Sequence, residues 1–252
     1  MEDLSEIPLY VQLALGIATG GLTGLTGASG MSVLISVLLA LKTPAQQIVA
    51  TTFAVAGVNA TFAILPFLRE NRPSKHDILS IAVPASIGGV TSFLFLARNL
   101  GGDFLGLALT GFMFLAGLHL VTSVRKQDHQ LVRTPDYLLG VLAFMAGSLI
   151  GVFGGGGAIF ITIGLVALFG YSYHQALMLS LLVTVVTCIP LIALSYVEGN
   201  FFIWPVLVIL ASSVPCALVA ASWANRVPET TIKRLLGVYL VCISLFIFGG
   251  RL

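Results

Sequence analysis

Eight long stretches without a charged side chain constrain the fold of this 252-residue chain more than any other feature. They cover residues 9–41, 43–68, 78–97, 104–124, 137–173, 174–197, 199–225 and 235–250. Every Lys, Arg, Asp and Glu lies between or outside them. About 20 apolar residues in a helix span the roughly 30 Å hydrocarbon core of a bilayer. The pattern therefore predicts an all-α, polytopic integral membrane protein.

The composition excludes an ordinary water-soluble domain. Charged residues make up 9% of the chain, where a soluble domain has about 25%. The apolar share is 58% and the mean hydropathy is +1.05, so burying this surface in water would need a larger interior than the length provides. We predict a transport protein rather than an enzyme, without catalytic residues, metal or cofactor. The expected partners are the lipid bilayer and a small solute, not nucleic acid.

The first apolar run shows no sign of a removable targeting segment. Three acidic residues precede it, Glu2, Asp3 and Glu6, and no basic region does. The run is also too long for a cleavable signal peptide. We therefore expect it to belong to the mature fold.

The chain repeats itself with a period of about 127 residues. Four glycines of the first half align with four of the second: Gly20, Gly24, Gly27 and Gly30 with Gly147, Gly151, Gly154 and Gly157. In each half, three further apolar runs follow. The basic connector at 125–133 marks the seam, which predicts a first transmembrane repeat with its connector at 1–133 and a second repeat at 134–252. Together they would form one transport domain.

Each half opens with an apolar run that is too long for one straight helix. A run of about 33 residues would make a helix of about 50 Å. Glycine weakens helix continuity and permits positive φ. We therefore expect each run to fold as a glycine-broken helix hairpin, followed by three transmembrane helices.

The loop charges favour a hairpin that returns to its starting side. In that case nine of the twelve basic residues share one face, and only Lys42, Arg98 and Arg251 lie on the other. If each run crosses once, the split is seven to five. Cytoplasmic loops are enriched in Lys and Arg, so both termini are expected outside the cytoplasm and the two repeats are expected to be inverted. A hairpin that is re-entrant and one that crosses fully twice have the same parity, so both stay open.

The hairpin tips are the candidate anion site, because helix N-termini present unpaired N–H groups and partial positive charge. Glycine lets a ligand approach such a backbone closely. On the next helix of each half, polar residues seven apart fall on one face. The predicted substrate-binding residues are Thr26, Gly27, Ser29, Gly30, Thr52, Asn59, Gly154, Gly155, Gly156, Gly157, Ser180 and Thr187.

Each of these features also has a purely structural interpretation. The tip glycines could serve close helix packing, an interpretation that fits the spacing of Gly20 with Gly24 and of Gly147 with Gly151 especially well. A Thr in a membrane helix commonly bonds its own backbone carbonyl.

The glycine-rich tip, the hydroxyl-bearing helix after it and their recurrence together resemble the sulfite exporter TauE/SafE family. The resemblance extends from about Gly16 to Gly249. The second tip, GVFGGGG at 151–157, is most similar to the family pattern, whereas the first has Ala28 and Ser29 where more glycine is usual. The resemblance implies export or uptake of sulfite, a sulfonate or a related organosulfur anion. From the inverted repeats we predict alternating access at a midplane site between the two glycine-rich tips. The expected location is the inner (plasma) membrane of a bacterium.

Two other functions stay open at this point. An anion channel could use the same paired tips as a filter. An intramembrane serine protease could use Ser29 as nucleophile, but it would need a His such as His119 within hydrogen-bond reach. The coupling ion, the direction of transport and a homo-oligomeric assembly are left open as well.

Overall fold

The computed structural model describes residues 7–27, 30–41, 43–70, 75–99, 136–153, 158–199, 201–224 and 226–228, and isolated helical positions at 111, 114, 118, 231, 234, 237, 238, 241, 242 and 245. Eight helices have described bounds: α1 Leu9–Thr26, α2 Met31–Ala40, α3 Ala45–Glu70, α4 Lys75–Asn99, α5 Asp136–Phe153, α6 Ala158–Phe169, α7 Tyr173–Val197 and α8 Ile203–Ala224. Within these residues every regular element is a helix, which confirms the all-α prediction. The connector at 125–133 lies outside them, as do most of the apolar runs 104–124 and 235–250.

Five of the helices contain a segment that is long and apolar enough to cross a bilayer. These segments are Leu9–Thr26, Gln46–Leu68, Ile78–Phe95, Tyr173–Val197 and Ile203–Ala224. Large apolar side chains on them are exposed, whereas every buried polar residue of the described chain is a Thr, Ser, Asn or Gln. An apolar exterior around an uncharged polar interior suits hydrocarbon as the surrounding solvent. The protein is an integral membrane protein.

The first long apolar run consists of two helices with a break at residues 27–30. Gly27 ends α1 in the left-handed region, with φ of 59°, and its N–H donates to the Thr23 carbonyl oxygen at 2.9 Å. This conformation costs a residue with a side chain roughly 1–2 kcal/mol. The corresponding border between α5 and α6, at 154–157, lies outside the described residues.

Each long glycine-bearing helix packs along a helix from the other half of the chain, α1 along α8 and α5 along α4. Four glycines bring these backbones together, because a Cβ added at any of them would overlap a carbonyl oxygen of the facing helix. The overlaps are Gly20 with Ser213, Gly24 with Ala217, Gly147 with Ala85 and Gly151 with Gly89. Since the overlap is with backbone, side-chain movement cannot relieve it. The predicted packing role of these four glycines is confirmed.

Helices α3 and α7 contact each other in antiparallel orientation. A Cβ on Gly57 would lie 2.9 Å from the Cβ of Cys188, while the Phe67 ring lies 6.4 Å from the His174 ring. Residues later in α3 thus contact residues earlier in α7, which makes the two helices antiparallel. His174 Nε2 also lies 3.3 Å from the carbonyl oxygen of Ala224. The C-terminal ends of α3 and α8 and the N-terminal end of α7 therefore share one end of the bundle.

Candidate functional site

The four polar side chains predicted on the helices that follow the hairpins are fully buried. Thr52 and Asn59 on α3, and Ser180 and Thr187 on α7, each have 0% exposure. Asn59 and Thr187 lie within two residues of the α3–α7 contact at Gly57 and Cys188. Ser180 is seven residues from Thr187, or about 10 Å at 1.5 Å per residue. The structure therefore distributes the predicted residues over more than one level of the bundle.

Asn59 carries a buried donor group without a partner. The Ser213 hydroxyl on α8 donates to Asn59 Oδ1 at 2.9 Å. Asn59 Nδ2 has no hydrogen-bond partner within the described part of the chain. An unsatisfied buried donor costs about 1–3 kcal/mol, so a native protein that keeps one needs a reason for it. A ligand that accepts hydrogen bonds would supply that reason.

Thr187 carries a second unpartnered polar group. Its methyl group packs against Gly89 on α4, and its hydroxyl has no partner among the described residues. The neighbouring Thr184 behaves as a membrane Thr ordinarily does, donating to the carbonyl oxygen of Ser180 at 2.9 Å. The Thr187 hydroxyl makes no such bond to a backbone carbonyl of the described chain, although it lies in the same helix.

Asn59 and Thr187 are 128 positions apart, the same separation as Thr52 and Ser180. Two other buried hydroxyls in the described chain, those of Thr43 and Ser195, also have no partner there. Thr43 precedes α3 and Ser195 is in the last turn of α7. Asn59 and Thr187 are therefore the unpartnered pair in the middle of the central helices.

The first hairpin tip contacts the hydroxyl-bearing face of α7. A Cβ on Gly27 would lie 2.6 Å from Leu177 Cγ and 3.1 Å from Ser180 Oγ. The Ser180 hydroxyl lies 3.5 Å from the Gly27 carbonyl oxygen, but it donates at 2.8 Å to the Leu177 carbonyl oxygen. Thr52 likewise donates to the carbonyl oxygen of Val49 at 2.7 Å. Both hydroxyls thus bond carbonyl oxygens of their own helices, as the purely structural interpretation of these residues predicts.

The described amides of the first tip are engaged by α1. Gly27 N–H donates to the Thr23 carbonyl oxygen, and Gly30 N–H donates to Thr23 Oγ1 at 3.1 Å. Thr26 Oγ1 donates to its own helix at Leu22, at 2.7 Å. These two amides thus have partners within the chain, and the role of the tip backbone as anion donor stays a prediction. Ser29 and the second tip, Gly154, Gly155, Gly156 and Gly157, lie outside the described residues.

The interior of the described chain is electrically neutral. No Lys, Arg, Asp, Glu or His is among its buried residues, and no group of three or more His, Cys, Asp and Glu in that part could hold a metal ion. An anion bound there would interact with N–H and O–H dipoles. His174 is half-buried at the end of α7, beside the last residue of α8. His119 lies outside the described residues.

Ser213 is the residue that sequence reasoning missed. It lies on a helix to which no site residue was assigned, and its counterpart by the repeat, 128 positions earlier, is Ala85. A hydroxyl without a repeated partner leaves no pattern to detect. Its hydrogen bond to Asn59 becomes visible only because α8 packs beside α3.

Comparison with known proteins identifies one family. The sequence model of the family described as sulfite exporter TauE/SafE matches residues 12–247. The match includes both halves, Asn59, Thr187 and Ser213. None of the curated proteins compared with the chain matches it.

Proposed function

Because the chain belongs to the sulfite exporter TauE/SafE family, we propose that it carries sulfite or a related organosulfur anion by alternating access between two inverted repeats. The family is one of membrane transporters for small anions. The observation that carries the finer proposal is the central pair of buried groups without described partners, Asn59 Nδ2 and Thr187 Oγ1.

The inverted arrangement draws its support from helices at equivalent positions of the two halves. Helices α3 and α7 follow the two glycine-broken runs, and they lie antiparallel where they contact. Their neighbours repeat the same pairing, since α3 packs on α8 and α7 packs on α4. Two copies of one unit in opposite orientation would produce both features. The end of α1 at Gly27 supports a hairpin in the first run, and the repeat predicts one in the second.

The central pair offers chemistry suited to an oxyanion. The Asn59 amide group supplies two N–H donors, and the Thr187 hydroxyl supplies one. A hydrogen bond to a charged group contributes about 1.5–3 kcal/mol, more than one between neutral groups. Sulfite and sulfonates present several oxygen acceptors on one sulfur, and the proposal is that one anion accepts from both side chains. A neutral site binds without a counter-charge and therefore releases its ligand more readily than an arginine pair would.

The hairpin tips would act as barriers on either side of this pair. Gly27 contacts Ser180, between Thr187 and the end of the bundle where α7 begins. The first tip then closes the pathway towards that end. The repeat predicts the corresponding role, towards the other end, for the tip at 154–157. Alternating access follows if one tip withdraws while the other stays seated.

The test is sulfite counterflow in proteoliposomes that contain wild type, Asn59→Leu or Thr187→Val. Loss of the donors should raise KM about tenfold or more in each variant, the amount expected for a hydrogen bond to a charged ligand. Thr91→Val is the matched control, because Thr91 is exposed on α4 and its hydroxyl bonds the Ile87 carbonyl oxygen at 2.7 Å. An unchanged KM in both site variants would place the anion elsewhere. Single-channel currents without counterflow would favour the channel.

A further inference from the structure

We propose that Ser213 is a positioning residue that turns the donor end of the Asn59 amide towards the substrate. The inference rests on the proposed function, since it assumes that Asn59 contacts the anion. Ser213 is fully buried, and its hydroxyl spans from α8 to Asn59 Oδ1 on α3. With the amide oxygen held there, Nδ2 is the end left without a described partner.

An Asn side chain needs such an anchor because its two ends are chemically opposite. One end accepts hydrogen bonds and the other donates two, and a half-turn about the last torsion exchanges them. An exchanged amide would present an oxygen lone pair to an anion and repel it. In the structure the Ser213 hydroxyl donates to Oδ1, and this orientation of the amide is the one that attracts the anion. Ser213 therefore acts on the substrate through Asn59.

The second half of the chain shows why only one anchor is needed. The residue equivalent to Asn59 is Thr187, and the residue equivalent to Ser213 is Ala85. In a hydroxyl the same oxygen atom serves as donor and acceptor. Thr187 therefore has no second end that could face the anion in the wrong orientation. Its methyl group against Gly89 already holds the side chain. A hydroxyl at position 85 would have no amide to orient.

The same comparison shows that the Ser213 hydroxyl is not required for helix packing. Gly20 meets the backbone of Ser213 just as Gly147 meets the backbone of Ala85. Alanine at the equivalent position supports the same close approach. Ser213→Ala should therefore preserve the fold while removing the hydrogen bond to Asn59.

The test is a double-mutant cycle of Ser213→Ala and Asn59→Thr, measured by counterflow of radiolabelled sulfite. Threonine is chosen at 59 because it occupies the equivalent position, 187. In the wild-type background Ser213→Ala should raise KM about three- to tenfold and leave the maximal rate unchanged, the effect of one neutral hydrogen bond. In the Asn59→Thr background the same change should alter KM less than about twofold, since nothing is left to orient. Ser212→Ala is the matched control and should leave KM unchanged, because that hydroxyl bonds Leu13 and Ile209 instead.

The outcomes separate this inference from the function on which it rests. If Asn59→Leu and Thr187→Val both leave KM unchanged, then the anion does not bind at the central pair and both proposals fail. If Asn59→Thr raises KM but Ser213→Ala has the same effect in either background, Ser213 acts independently of the amide. In that case the orientation proposal is overturned and the anion site stands. An unchanged KM in Ser213→Ala alone overturns it as well.

Discussion

The two halves of the molecule have the same backbone packing but different polar residues beside it. Gly20 and Gly147 each remove a side chain where a helix of the other half crosses, and the overlapped carbonyls belong to Ser213 and Ala85. One of these partners carries a hydroxyl that bonds into the centre of the bundle. The other carries none.

If the chain is a duplication, as proposed, this difference separates the residues that both halves must keep from those that can change. A glycine at a backbone crossing cannot be replaced without moving a helix, so both copies have it. The residues of the central pair differ between the halves, with Asn59 in the first and Thr187 in the second. One asymmetric ligand bound at the centre would contact the two halves differently. It would therefore favour different residues at equivalent central positions. Three experiments test how far the equivalence of the halves extends.

The largest effect expected is an all-or-none difference in labelling. If the halves are inverted, cysteines at Arg72 and Arg226, each two positions beyond the end of α3 or α8, face the same side of the membrane. The Phe67–His174 and His174–Ala224 contacts predict this, because they bring those helix ends together. A membrane-impermeant maleimide applied from one side should label both or neither.

The labelling needs a background without Cys188, Cys216 and Cys242, each replaced by alanine. Glu198→Cys serves as the opposite-side control, since Glu198 follows α7 at the end of that helix far from His174. Labelling of Arg72→Cys and Arg226→Cys from opposite sides would mean that the two halves are not inverted. The comparison of equivalent helices would then lose its basis.

Much of the fold could be predicted because hydrocarbon imposes simple requirements on sequence. Uncharged runs of sufficient length become helices, and five of the segments that the structure describes are long enough to span. The spacing of Gly20 with Gly24 indicated close packing without indicating the partner. That partner is α8, almost 200 residues along the chain, and no local pattern encodes so distant a contact.

The candidate site was only partly predictable. A polar residue in the middle of an apolar membrane helix costs free energy, so its presence suggests a function. Asn59 and Thr187 could be chosen as candidates because they occupy equivalent positions of the two halves. The role of the tip amides could not be read from glycine content. Gly30 N–H donates to the Thr23 hydroxyl seven residues earlier, and glycine content does not indicate such a partner. Ser213 could not be identified from the sequence, because its counterpart in the other half is Ala85 and no repeated polar position marks it.

The next largest effect concerns the packing glycines. Gly20→Ala and Gly147→Ala should each lower the free energy of unfolding by about 1–3 kcal/mol or more, because the added methyl group meets backbone. Gly21→Ala is the adjacent control, since a Cβ there would meet nothing within 4 Å. That change should be neutral or stabilise by about 0.5–1 kcal/mol, the usual difference between glycine and alanine inside a helix. Thermal unfolding of the purified proteins in detergent would measure all three.

The two glycine variants matter most when compared with each other. Similar losses of stability would show that the α1–α8 and α5–α4 crossings have equivalent roles. If Gly20→Ala were as well tolerated as Gly21→Ala while Gly147→Ala was not, the first crossing would be looser than the structure indicates. The claim that the two halves have the same backbone packing would then be wrong.

The smallest effect tests the hydroxyls that tie these crossings together. Ser212 donates to the carbonyl oxygen of Leu13 at 3.0 Å, from α8 to α1, and Ser92 donates to that of Ser148 at 2.8 Å, from α4 to α5. Each change to alanine should cost about 0.5–1.5 kcal/mol, and the double variant should show the sum, since separate interfaces add independently. Ser222→Ala is the control, because that exposed hydroxyl bonds only its own helix. A double variant that costs markedly more than the sum would show that the two crossings are coupled, as rocking of one half against the other requires. Strict additivity would confine any such motion to the hairpin tips.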